Sequence, residues 1–179
     1  MTIQEYLSSL RGKTAAVLGI GVSNTPLIEL LCRNGVQVIA CDKKSREDLS
    51  ERAKQLEALG AQLHLGEDYL DDLRADVVFR TPGMRPDVPA LLEAKARGSI
   101  VTSEMEIFFE VCPCTIIGVT GSDGKTTTTS IIADMLRAAG KTVYLGGNIG
   151  HPLLCDAEKM QPEDFAVVEL SSFQLLDMK

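Results

Sequence analysis

The sequence predicts an α/β protein in which a Rossmann-like parallel sheet is followed by the start of a second, P-loop-type α/β unit. Short β-branched runs alternate with longer stretches of helical periodicity, which is typical of βαβ units. Two glycine-rich turns, GIGVSN at 19–24 and TGSDGKTT at 120–127, each follow such a run and open a predicted helix. Turns of this kind hold phosphate groups at a helix N-terminus.

Composition indicates a globular protein without a nucleic-acid or membrane partner. The chain has 179 residues, is 45% hydrophobic and carries a net charge of −7, whereas binding of nucleic-acid phosphates needs clustered Lys and Arg. No window approaches the ~18 consecutive apolar residues of a membrane helix, and the N-terminus lacks a signal-peptide pattern. We therefore expect a cytoplasmic protein.

The cysteines do not predict a disulfide framework or a His/Cys zinc site. There are five of them, an odd number, and only two histidines. We expect buried or incidental thiols, including the pair in Cys112-Pro113-Cys114.

The first predicted unit covers residues 1–111. Its strands are expected at 14–20 and 36–42 and within AQLHLG, ADVVFRTPG and SIVTS, with helices near 26–34, 47–59 and 88–97. The boundary is placed at 111–114, where Pro113 interrupts the pattern just before a new strand.

The second predicted unit covers residues 112–179. Strands are expected in TIIGVTG, KTVYLGG and FAVVEL, with a helix over 125–139. Three strands are fewer than the roughly 5 to 6 of a mean sheet. We therefore expect this unit to be the first part of a larger domain.

The turn GIGVSN has the context of a dinucleotide or nucleotide site. It follows a predicted strand, opens a helix, and precedes Asp42 at the end of the next strand, where an acid can bind a ribose. Asn24 replaces the third glycine, which predicts looser packing of helix on strand. A purely structural turn remains the alternative, and NAD is only one candidate ligand.

Two further segments follow predicted strands and are expected at the carboxyl edge of the same sheet. Lys43 and Lys44 follow Asp42 and either meet a phosphate or form an ordinary solvated pair. TPG at 81–83 follows the fourth strand, where ligands of open α/β sheets bind, although Pro-Gly is also common in plain turns.

The turn TGSDGKTT predicts an ATP site. A Walker A loop wraps phosphates with backbone N–H groups, neutralises them with Lys and ligates Mg²⁺ through a hydroxyl. Val119 stands at the first glycine position. Glu169 ends a predicted buried strand and is the candidate carboxylate for Mg²⁺, with a structural salt bridge as the alternative. The candidate ATP-binding residues are Gly121, Ser122, Asp123, Gly124, Lys125, Thr126 and Thr127.

Taken together, these segments resemble the Mur ligase family. TGSDGKTT resembles the family's ATP loop, which lacks the first Walker glycine, and the second unit then resembles the family's central ATPase domain. GGNIGHPLL at 146–154 and VVELSSFQL at 167–175 resemble motifs of the member that adds D-glutamate. The resemblance covers the whole chain and is most specific over 115–175.

The resemblance implies a step of cytoplasmic peptidoglycan synthesis. ATP would phosphorylate the carboxylate of UDP-N-acetylmuramoyl-L-alanine, and D-glutamate would attack the acyl phosphate. Lys125 would be catalytic, Thr126 and Glu169 would ligate Mg²⁺, and the full-length enzyme would be a monomer. The residues implied to bind the UDP-sugar substrate are Gly21, Val22, Ser23, Asp42, Gly83, Asn148, Ser171 and Gln174.

The resemblance also implies that the chain is a fragment that is inactive alone. Family members continue with a metal-binding histidine, a carbamylated lysine and a third domain that carries much of the D-glutamate site. A non-catalytic UDP-sugar-binding module is the alternative function. A nicotinamide-dependent oxidoreductase would leave the loop at 121–126 unexplained.

Overall fold

The computed structural model describes residues 1–175, and residues 176–179, the end of the predicted second unit, lie outside the described residues. Its strands form a five-stranded and a three-stranded sheet, and every pairing in both is parallel. This confirms the predicted α/β class. In the described part of the chain, no helix has the length and apolar character needed to cross a membrane.

The first sheet has the strand order β3-β2-β1-β4-β5. The side chains of β1 are buried along almost its whole length, which explains its continuous apolar sequence. The order reverses between β1 and β4, and such a reversal opens a crevice at the carboxyl ends of the strands. The strands are β1 (Thr14–Leu18), β2 (Gln37–Asp42), β3 (Gln62–Leu65), β4 (Val77–Phe79) and β5 (Ile100–Thr102).

The helices of this half include two that the sequence analysis missed and one that it wrongly joined. The missed helices α1 and α6 begin at Thr2 and Ser103, whose hydroxyls accept backbone N–H groups. The predicted helix at 47–59 is broken at Ser50, which has φ +46° and separates α3 from α4. The bounds are α1 (Ile3–Ser9), α2 (Asn24–Arg33), α3 (Arg46–Leu49), α4 (Glu51–Ala58), α5 (Pro89–Ala96) and α6 (Glu104–Val111).

The second sheet has the order β6-β8-β7, so the last strand in sequence lies in the middle. Because all three strands are parallel, their carboxyl ends lie along one edge. The elements are β6 (Thr115–Val119), α7 (Lys125–Ala138), β7 (Val143–Gly147), a 3-10 helix (Leu154–Asp156), β8 (Phe165–Glu169) and α8 (Ser172–Leu175).

One hydrophobic cluster joins the two sheets. It contains Ile28 and Leu31 of α2, Phe108 of α6, and Leu153 and Leu154 at the 3-10 helix, all fully buried. Both α2 and α6 pack against the 3-10 helix. The 3-10 helix, which belongs to the second half of the chain, is therefore anchored in the core of the first half.

A buried carboxylate lies at this junction. Oε1 of Glu104, in the first turn of α6, accepts the backbone N–H of Leu154 at 2.7 Å. Burial raises the pKa of Glu104 from its ordinary value of 4.5 to about 7, although the N–H groups of Leu154 and Leu153 and the nearby His151 act in the opposite direction. Ionisation of Glu104 is therefore less favourable in the folded protein than in the unfolded chain.

We expect Glu104→Gln to stabilise the protein at alkaline pH but not at acid pH. Because the folded-state pKa is raised, the wild type loses stability as pH rises from about 4.5 to about 7. The neutral amide avoids this loss and can still accept the N–H of Leu154. The gain should approach about 3 kcal/mol above pH 8, measured by urea unfolding at several pH values.

Glu110→Gln is the matched control, because Glu110 lies on the same helix and is exposed. Its change in the free energy of unfolding measures the general effect of removing a carboxylate from α6. If Glu104→Gln changed the free energy of unfolding by the same amount at pH 5 and at pH 8, the raised pKa assigned to Glu104 would be wrong.

Candidate nucleotide and substrate site

The predicted ATP loop connects the carboxyl end of β6 to the first residue of α7. Gly124 is the N-cap of α7 with φ +72°, a conformation that favours glycine, and no side chain caps the helix. Residues 121–124 are exposed. The first N–H groups of a 14-residue helix are thus open to a ligand, and such a terminus attracts anions.

The side chain of Lys125 lies against this loop. Its Nζ donates to the carbonyl oxygens of Gly121 at 2.8 Å and Ser122 at 3.1 Å. The ammonium group is therefore held at the loop by weak, exchangeable acceptors and is not paired with a carboxylate in these contacts. A phosphate oxygen would be a stronger, charge-assisted acceptor at the same place.

Thr126, Asn148 and Glu169 meet in one cluster at the carboxyl edge of the second sheet. The Glu169 carboxylate is 3% exposed. Its Oε2 accepts the hydroxyl of Thr126 at 2.6 Å, and its Oε1 accepts the amide of Asn148 at 3.2 Å. The partners in these bonds are neutral, so the structure gives no support to the alternative of a structural salt bridge for Glu169.

The donor set of this cluster fits Mg²⁺. A carboxylate, a hydroxyl and an amide carbonyl are hard oxygen ligands, and Mg²⁺ in nucleotide sites is held by one or two protein ligands together with phosphate oxygens and water. The described residues contain no group of three or more His, Cys, Asp or Glu side chains able to hold a metal. A magnesium ion here would accordingly depend on the nucleotide for further ligands.

Gly147 allows β7 to end close to Glu169. Its φ is +92°, and an added Cβ would collide with the carbonyl oxygen of Glu169. The next residue, Asn148, donates its backbone N–H to that carbonyl at 2.9 Å. The glycine therefore lets the Asn148 side chain reach the carboxylate.

Ser171 and Gln174 form a capping box at the start of α8. The Ser171 N–H donates to Oε1 of Gln174 at 2.8 Å, and the Gln174 N–H donates to the Ser171 hydroxyl at 3.3 Å. Both residues follow Glu169 at the same sheet edge, with the Gln174 side chain buried. The pairing gives them a local structural role, and their binding of substrate stays a prediction.

The first glycine turn lies at the reversal of strand order. Gly19 has φ +90°, and its Cα faces Thr81, so the turn after β1 touches the turn after β4. Asp42 accepts the N–H of Ile20 at 2.6 Å and that of Lys44 at 2.9 Å. The Asp42 carboxylate thus holds the turn in place, and a ribose hydroxyl would have to bond to oxygens that already accept these N–H groups.

Asn24 corrects one expectation. It was predicted to loosen the packing of the helix on the strand, but it is 2% exposed and its Nδ2 donates to the Leu18 carbonyl at 2.8 Å. This bond ties α2 to the end of β1 in place of the close contact that glycine would allow. Its Oδ1 has no hydrogen-bond partner among the described residues.

The remaining predicted residues of the first half line the same edge. Gly21, Val22 and Gly83 are exposed, and Ser23 begins α2 without a side-chain cap. Lys43 forms an exposed ion pair with Glu67 at 3.3 Å. The turn at 21–23 is therefore accessible to a ligand, whereas within α2 the Thr25 N–H already donates to the Gly21 carbonyl and Pro26 has no N–H.

Sequence reasoning missed Arg80, which lies directly after β4. It is buried, and its Nη1 donates to the Met84 carbonyl at 3.0 Å, across the turn at 81–83. A charged residue ending a buried strand was the signal used for Glu169, and the same signal marks Arg80. Its guanidinium fixes the turn that faces Gly19.

Comparison with known proteins finds similar sequences along nearly the whole chain. The Mur ligase middle domain model matches residues 119–179. The UDP-N-acetylmuramoylalanine--D-glutamate ligase of Clostridium novyi (strain NT) is 52% identical over 99% of this chain, which covers 39% of that protein. The protein of the same name from Acetivibrio thermocellus is 50% identical over 98% of the chain, which covers 38% of it.

Similarity to a solved structure supports the fold. The UDP-N-acetylmuramate-alanine ligase MurC from Thermotoga maritima aligns with 89% of this chain, and the alignment covers 37% of that protein, with a TM-score of 0.51 and 22% identity. This likeness bears on the fold alone. The chain thus spans about two-fifths of the length of the ligases it matches, and its residues 119–179 match the Mur ligase middle domain.

Proposed function

We propose that the chain supplies the UDP-sugar-binding and ATP-binding parts of a ligase that adds D-glutamate to UDP-N-acetylmuramoyl-L-alanine in cytoplasmic peptidoglycan synthesis. The cluster of Thr126, Asn148 and Glu169 beside the ATP loop carries the proposal. The names of relatives about 50% identical along nearly the whole chain support the choice of D-glutamate and of the UDP-sugar.

In the ATP half, positioning and charge neutralisation do the chemical work. The N–H groups of residues 121–127 cradle the phosphates at the start of α7, and Lys125 exchanges its carbonyl acceptors for phosphate oxygens. Thr126 and Glu169 would hold Mg²⁺, which would supply positive charge beside the phosphates. Asn148 keeps the Glu169 carboxylate pointed at the loop.

The substrate half uses the carboxyl edge of the first sheet. Gly21, Val22 and Ser23 offer the uncapped start of α2 to the UDP diphosphate, and Asp42 and Gly83 flank it. Asn148, Ser171 and Gln174 face the muramoyl-alanine portion beside the phosphoryl donor. The carboxylate of that portion attacks the γ-phosphate, giving an acyl phosphate and ADP, and the D-glutamate amine then displaces phosphate.

We expect residues 1–179 to bind ATP and the UDP-sugar without catalysing the ligase reaction. More than half the length of the matched ligases has no counterpart in these residues. We infer that the remaining length holds much of the D-glutamate site. Mixing the chain with ATP, UDP-N-acetylmuramoyl-L-alanine and D-glutamate should release no phosphate above background, and steady turnover would contradict this inference.

Gly21→Ala should weaken binding of the UDP-sugar without unfolding the chain. An added Cβ at Gly21 meets no atom within 4 Å, and its φ is not in the left-handed region, so the substitution costs the fold little. The methyl group would instead occupy the path of a diphosphate approaching α2. Calorimetry with UDP-N-acetylmuramoyl-L-alanine should show affinity falling by about tenfold or more.

Two controls make this measurement decisive. Leu92→Ala removes an exposed side chain on α5 and should leave binding unchanged. NAD should give no heat of binding with the unmodified chain. Saturable binding of NAD instead of the UDP-sugar, or equal affinities for the Gly21→Ala and unmodified chains, would disprove the assignment of this edge.

Thr126→Val should remove the dependence of ATP affinity on Mg²⁺. The substitution keeps the side-chain volume but deletes the hydroxyl that donates to Glu169. Thr126→Ser keeps that hydroxyl and is the matched control. A fluorescent ATP analogue titrated with and without Mg²⁺ should show a magnesium gain of about tenfold in the unmodified and Ser chains, and little in the Val chain. Equal gains in all three would exclude Thr126 as a ligand.

A further inference from the structure

Three sulfur atoms form a compact triangle at the junction of the two sheets. Sγ of Cys112 lies 3.5 Å from Sγ of Cys114, and both lie 3.9 Å from Sδ of Met160. Cys112 ends α6, Cys114 directly precedes β6, and Met160 lies between the 3-10 helix and β8. The sequence analysis treated these thiols as incidental.

The triangle is separate from the proposed ATP site. Cys114 stands before the amino end of β6, whereas the ATP loop follows the carboxyl end of that strand. Met160 is 3% and Cys114 9% exposed, while Cys112 is only half-buried. The half-buried thiol gives a small ion a way in, and the other two sulfurs shield it from water.

We propose that Cys112, Cys114 and Met160 form a binding site for a soft monovalent cation, Cu(I). Two thiolates and a thioether are the ligand types that Cu(I) selects. The thioether argues against Zn²⁺, which is bound in proteins through thiolate, imidazole and carboxylate groups.

The spacing of the sulfurs matches a trigonal centre. A first-row metal bonds thiolate sulfur at about 2.3 Å, the value for zinc, so three sulfurs arranged around one ion in a plane lie about 4.0 Å apart. Two sides of the triangle have this length, and the third is shorter by about half an ångström. An ion can therefore enter after small side-chain adjustments.

Binding exchanges protons for the ion without a change in oxidation state. Cu⁺ displaces one proton from each thiol, which leaves a centre with net charge −1. The carboxylate of Asp164 and the phenol of Tyr144 also lie near Cys114.

Occupancy would add a direct link between the Cys112–Cys114 segment and Met160, whose sulfur atoms are otherwise only in contact. The ion would tie the end of α6 and the start of β6 to the segment before β8. Because these segments belong to both halves of the core, the ion should raise the unfolding temperature by mass action.

The test is anaerobic titration of the full 179-residue chain with Cu(I) against the chromophoric competitor bicinchoninate. One equivalent should bind to the unmodified chain. Cys112→Ser should lower the affinity by about 100-fold and Met160→Leu, which keeps the side-chain volume, by about tenfold. Cys32→Ser, a half-buried cysteine on α2, is the matched control and should bind like the unmodified chain.

Copper K-edge X-ray absorption then measures the number and distance of the ligand atoms around copper. Three sulfur neighbours at about 2.3 Å are expected. Circular dichroism establishes that each variant is folded before titration. The proposal is overturned if the unmodified chain takes no copper from the competitor, if Cys112→Ser and Cys32→Ser bind alike, or if Met160→Leu changes neither the affinity nor the number of sulfur neighbours.

Discussion

The need to satisfy the buried carboxylate of Glu169 organises the second half of the molecule. A carboxylate with 3% exposure is costly unless its oxygens are bonded. The hydroxyl of Thr126 and the amide of Asn148 supply the bonds, from positions 43 and 21 residues away in the sequence. Because Thr126 lies in the first turn of α7 and Asn148 follows β7, the same bonds fix the ATP loop and the end of β7 to the central strand β8.

How much of this the sequence predicts depends on the range of the interaction involved. The strands and the loop at 120–127 were predictable, since local patterning and glycine spacing determine them. The break at Ser50 was not, because a residue other than glycine seldom adopts a positive φ and the sequence pattern therefore favours a continuous helix. The bond from Asn24 to the Leu18 carbonyl was missed because the motif was compared with glycine alone, and an amide can fasten a helix to a strand in another way.

The junction between the sheets shows the same limit. Nothing local in GGNIGHPLL predicts that the 3-10 helix will enter the core of the other half of the chain, nor that Glu104 will meet the N–H of Leu154 from a position 50 residues away. The Cys-Pro-Cys segment was visible in the sequence, but Met160 joins it only through the packing around β8. Long-range partners of this kind are found in the structure and not in the spacing.

Helix capping connects the two proposed ligand edges. Thr2, Ser45 and Ser103 cap α1, α3 and α6 with side-chain bonds. The helices α2 and α7 have no such bond and begin at the carboxyl ends of β1 and β6. A helix start left without a cap retains free N–H groups that an anion can bind. At α7 the first N–H groups follow an exposed glycine turn and are open to a phosphate. At α2 the Thr25 N–H donates to the Gly21 carbonyl and Pro26 has no N–H, so the exposed turn at 21–23 would have to supply the donors. Because α4 and α5 also lack a side-chain cap, an uncapped helix start indicates a phosphate site only where a glycine-rich turn precedes it.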